Sequence, residues 1–106
     1  MTFAALIATS WALSGFNGAQ PAILVDPSLS VYAEARPQCV AVSSRLYADA
    51  LGTAQERVDA AAALLHEYAH TRQSVTLEPW QREGGAEAFS ADHDASLLKR
   101  FGQLPQ

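Results

Sequence analysis

The chain has 106 residues, enough for one core to form without disulfide staples, and a single domain over residues 1–106 is expected. Half of it is apolar (49%) and 17% is charged, a globular composition with no apolar run long enough to cross a bilayer, so a soluble protein is expected. The net charge of −4 comes with seven scattered basic residues, adjacent only at Lys99-Arg100, which argues against duplex nucleic acid as a partner.

In chain order, residues 3–14 place Phe3, Leu6, Ile7, Trp11 and Leu13 near the spacing of a short one-faced helix, ended by Ser14-Gly15. No Lys or Arg precedes Arg36, so this apolar start lacks the basic region of a secretory signal. A cytoplasmic location is expected, with the stub of a longer anchored or exported parent as the alternative. A Gly/Asn/Pro loop leads to "AILV", residues 22–25, a buried strand stopped by Asp26-Pro27. "SLSVYAEA" alternates Leu29, Val31 and Ala33 with polar or aromatic neighbours, the period of a half-buried strand. "CVAVSS" reads as a further strand, with Val40 and Val42 on one face. Together they predict a small, mainly antiparallel sheet. Cys39, the one cysteine, is expected to be a buried strand residue; with it alone, neither an internal disulfide nor a thiolate cage can form.

The period then changes. Thr53 followed by Glu56 is a capping-box signature, and Val58, Ala61, Ala62, Leu65 and Ala69 recur at helical spacing to about Gln73. A second helix is predicted from Pro79 to about Phe101, with Phe89, Leu97, Leu98 and Phe101 as its apolar positions. Trp80 is expected in the core. The fold class is therefore α+β.

Inside the first of these two helices lies "HEYAH". Residues four apart stack one turn apart on one face, so His66 and His70 can offer two imidazole nitrogens to one ion. Glu67 is turned about 100° from His66, beside the ion's position, where a carboxylate can take a proton from water acidified by the metal and pass it to a leaving amine. A catalytic zinc takes a third protein ligand and keeps one position open. The richest source is "REGGAEAFSADHD", residues 82–94, where Glu83 and Glu87 share a helical face: one can ligate and the other can orient a ligand histidine. Gly84-Gly85 costs a helix on the order of 1 kcal/mol per residue. Either their missing Cβ atoms permit close helix approach, or they form a loop and the helix starts near Ala86. His93 is an alternative third ligand or an oxyanion donor, though a solvated position is favoured; Tyr32, Tyr47 and Tyr68 are further oxyanion candidates. Arg72 suits the C-terminal end of the helix.

On "HEYAH" and "EGGAEAF" the chain resembles the gluzincin group of zinc metallopeptidases over roughly residues 22–101. The resemblance implies a zincin-like fold, one Zn²⁺ held by His66, His70 and Glu83, Glu67 as general base, and Glu87 as the partner that orients a histidine. It also implies that "CVAVSS" or "SLSVYA" forms the upper edge of the cleft, where a peptide or protein substrate adds as a strand. The chain departs from the group in three ways: only 13 positions separate His70 from Glu83, Glu87 stands where Asp or Asn is usual, and no C-terminal subdomain follows. A minimal version of the group is thus expected. The competing expectation is a non-catalytic or latent metal-binding module on the same scaffold that needs a partner, with "FGQLPQ", residues 101–106, lying in the cleft or fraying.

Overall fold

A computed structural model describes residues 1–73 and 78–102. Among them five helices and a small three-stranded mixed sheet form an α+β fold. Helix α1 (Phe3–Ser14) starts at Thr2, whose hydroxyl accepts from the Ala5 N–H, and stops at Gly15, which takes the left-handed conformation at φ 74°. Its inner face carries Leu6, Ile7 and Ser10, and Trp11 meets the Tyr68 ring edge-on at 5.1 Å.

The sheet order is β1 (Ala22–Val25), β3 (Cys39–Val42), β2 (Ala33–Ala35). β2 pairs antiparallel with β3, but β1 pairs parallel with β3, so the expected mainly antiparallel sheet is corrected to a mixed one. The cause is the connection over residues 26–32, long enough to carry the chain past the position that β3 fills. The strand read from "SLSVYAEA" shrinks to its last residues because Asp26 caps a turn: its carboxylate accepts from the Ser28 N–H and hydroxyl, and its carbonyl from the Leu29 N–H. Val31, expected to be inward, is consequently half exposed. Cys39 lies in β3 as read, but as its first residue it is half-buried instead of buried, a free thiol, while Val40, Ala41 and Val42 are fully buried.

Helix α2 (Ser44–Ala50) replaces the end of "CVAVSS": the Ser43 hydroxyl accepts from the Leu46 N–H and starts a helix that buries Leu46 and Ala50. Helix α3 (Ala54–Thr71) begins with the expected capping box, Thr53 and Glu56 each accepting from the other's backbone N–H at 3.2 and 2.9 Å. It is the centre of the molecule, with α1, α2, β2 and α4 packed around it. Leu64, Leu65 and Tyr68 are fully buried there. At its end the Arg72 guanidinium lies over the Trp11 and Phe16 rings and donates to the Asn17 carbonyl.

The predicted second long helix divides into α4 (Pro79–Asp92), α5 (Asp94–Leu97) and one π-helical turn over Leu98–Gly102. Leu97 and Phe101 are fully buried, but Leu98 is half exposed, a correction to its expected core position. Trp80, at 73% exposure, is also corrected: it lies about 120° around the α4 axis from the fully buried Ala86. Gly84 and Gly85 are helical, so the loop alternative is not adopted. Because Phe101 belongs to the core, "FGQLPQ" does not enter the cleft from its first residue; residues 103–106 lie outside the described ones. No helix among the described residues is long and apolar enough to cross a membrane.

Candidate metal centre

His66, Glu67 and His70 occupy consecutive turns of α3, a helix locked by its buried opposite face, so their positions are set before any ligand arrives. Glu83 reaches them from the second turn of α4. The His66 and His70 Nε2 atoms lie 3.2 Å apart, and the Glu83 carboxylate lies 2.6 Å from the first and 3.2 Å from the second. Four-coordinate zinc with bonds near 2 Å separates its ligand atoms by about 3.3 Å; two of these separations are close to that and the His66–Glu83 one is shorter, a hydrogen-bond contact that an ion would have to open. Among the described residues, these three are the group whose donor atoms all fall within 4.8 Å of one another. Burial pushes the Glu83 carboxyl up, but the hydrogen bonds and charges of the two imidazoles outweigh it and hold it below the usual carboxylate range.

The ring orientation of His70 is fixed by Gln73. The Gln73 amide nitrogen donates to the Arg82 carbonyl at 2.5 Å, so the other end of that amide must be the oxygen, 2.8 Å from His70 Nδ1. A carbonyl oxygen only accepts; Nδ1 therefore carries a proton, which leaves Nε2, facing Glu83 and His66, as the nitrogen of this ring that can ligate an ion. Sequence reasoning missed this residue, although its place one turn after His70 was a signal. Glu87 is on the expected face, but its Oε1 is 3.8 Å from His66 Nδ1, beyond hydrogen-bond range, so the expected orienting bond is not formed.

Gly85 is the glycine that matters for helix approach: a Cβ there would meet the Gln73 amide nitrogen at 3.1 Å, whereas a Cβ on Gly84 would meet nothing within 4 Å. The reading of both glycines as close-approach positions therefore holds for Gly85 alone. A second tie, also unread in the sequence, runs from the Ser90 hydroxyl to the Ala62 carbonyl at 3.1 Å.

Glu67 is 9% exposed, and the Ala35 N–H of β2 faces its carboxyl and draws it downward. Burial pushes its carboxyl up, against the pull of the neighbouring imidazoles. It lines two hollows that meet at the triad. One, about 750 Å³, is walled by Ala35, Arg36, Pro37, Gln73 and Arg82; the other, about 290 Å³, by Tyr32, Ala33, Ala62, Ala63 and Glu87. β2 forms one rim of both. The bonds to β3 come from the Tyr32 carbonyl and the Arg36 N–H, so by strand alternation Ala33 and Ala35 turn their backbone groups away from β3, toward the cleft.

His93 is not brought to the triad. It caps α4, its Nδ1 donates to the Phe89 carbonyl at 2.8 Å, and its ring lies against Phe89. The Tyr32 hydroxyl donates to Asp49 at 2.7 Å, Tyr47 packs on Phe3, and Tyr68 is fully buried. None of the three hydroxyls is placed as an oxyanion donor by these contacts.

Compared with family models, curated proteins and solved structures, the chain matches none.

Proposed function

We propose that this chain is a zinc-dependent metallopeptidase with a zincin-like fold, holding one Zn²⁺ on His66, His70 and Glu83. The observation that carries the reading is the convergence of two imidazole nitrogens and a carboxylate beside a buried glutamate, at the rim of an edge strand. A purely structural metal site has no use for Glu67. When bound, the ion supplies a Lewis acid and lowers the pKa of water at its open position.

The chain's own residues do the rest. The outward backbone groups of Ala33 and the carbonyl of Ala35 offer an edge to which an extended peptide adds as a further strand, laying the scissile bond over Glu67. Glu67 takes the proton of the attacking water on its carboxylate and delivers it to the leaving amine nitrogen, so its charge is restored in each turnover.

A mixed peptide library incubated with zinc-loaded protein tests this. Cleavage by the wild type, absent in Glu67→Gln that still carries zinc, is the expected result. Loaded wild type that leaves the whole library intact contradicts peptidase activity while leaving the ion site standing.

A further inference from the structure

We propose that Gln73 is a positioning residue for the metal centre: one amide group that fixes the tautomer of His70 and at the same time pins the α4 turn carrying Glu83. The inference rests on the reading of His66, His70 and Glu83 as metal ligands.

The amide has two ends and both are used. Its oxygen accepts the His70 Nδ1–H at 2.8 Å, and its nitrogen donates to the carbonyl of Arg82, the residue before Glu83, at 2.5 Å. The choice of Nε2 as the ligating nitrogen of His70 and the placement of Glu83 are therefore set by the same group, which ties one helix to the other. Such partners of ligating histidines typically hold about 10- to 100-fold in metal affinity. Here one partner acts on two ligands, and it does so from a position, three residues after His70, where the helix has just ended. An apolar residue there would leave the His70 ring free to rotate and the Arg82 carbonyl to find another donor.

Gly85 completes the device. The amide nitrogen of Gln73 is 3.1 Å from where a Cβ on Gly85 would sit, tighter than ordinary contact. A free side chain would give by a few tenths of an ångström, but this one is held at both ends. The helix accepts the propensity cost of glycine at that turn because alanine would push the amide off one of its two bonds.

Cobalt(II) is the probe, with uptake by the folded full chain read from its visible ligand-field spectrum and affinity measured by competition against a chromophoric chelator. Gln73→Met, similar in length and unable to hydrogen-bond at either end, is expected to lose about 10- to 100-fold in affinity and to alter the spectrum. Gln73→Glu, which keeps an acceptor for His70 and loses the donor to Arg82, should retain a spectrum close to wild type with an intermediate affinity. Gly85→Ala should move both readouts in the direction of Gln73→Met by a smaller amount. Ser90→Ala, which cuts a helix tie remote from the His70 ring, should leave the spectrum unchanged and so separates positioning from helix docking. Gln73→Met and Gly85→Ala both within twofold of wild type, with its spectrum, would overturn the inference alone. A wild-type chain that takes up no cobalt overturns the metal reading and this inference with it.

Discussion

The two helices that meet at the site are built differently. α3 is embedded: its far side carries Val58, Ala61, Leu65 and Tyr68 in the core, and its cleft side presents His66, Glu67 and His70 at 9% exposure for the glutamate and little more for the imidazoles. α4 buries Ala86, half-buries Phe89 against Phe16 and takes polar ties from Ser90 and Gln73, while Glu83 and Glu87 are well exposed. The proposed base and two proposed ligands thus sit on the rigid element, and the proposed third ligand sits on one whose docking leaves room for gain. An ion bridging the two helices would add its binding energy mainly to α4.

Four outcomes break or sharpen that contrast. Largest is the chemical one: Glu67→Gln should lower peptide cleavage by about 100- to 10,000-fold with zinc content unchanged, since the side chain lies beside the ligands. Next, Leu64→Ala, at a fully buried α3 position, should cost about 2 to 5 kcal/mol, seen as a lower urea midpoint for the whole molecule, whereas Ser90→Ala should cost only about 1 kcal/mol. Third, adding zinc at about 100 times its dissociation constant should slow amide exchange in α4 by roughly 100-fold and a chelator should reverse it, with α3 amides almost unmoved. Equal protection of both helices would remove the contrast. Smallest is a pH effect at the start of α3. Backbone and side-chain hydrogen bonds from Thr53 hold the Glu56 carboxyl below its ordinary value. Its contribution is therefore complete above the ordinary carboxylate range and lost as pH falls through the depressed one. The stability difference between wild type and Glu56→Gln should vanish in acid and return toward neutral pH.

How much of this was legible in the sequence follows from which interactions are local. The capping box at Thr53, the single face shared by His66 and His70, and the helical turn linking Glu83 to Glu87 depend on residues three or four apart, and those read correctly as geometry. The parallel pairing of β1 with β3 depends on where a third strand inserts, and no local pattern encodes it. Helix α2 escaped because the strand pattern of "CVAVSS" runs into its own cap at Ser43. Gln73 and Ser90 take their meaning from the register in which α4 docks on α3, a tertiary fact; the same register leaves Glu87 short of His66 Nδ1 and turns Trp80 to solvent.

The most direct test of the central claim is zinc stoichiometry by elemental analysis of purified protein after zinc loading and removal of excess metal, in parallel for wild type, His66→Ala and Glu83→Gln. One zinc per wild-type chain, falling in both variants, is the predicted result and would require both helices to hold the ion. No zinc in the wild type, or the same amount in all three proteins, would contradict it.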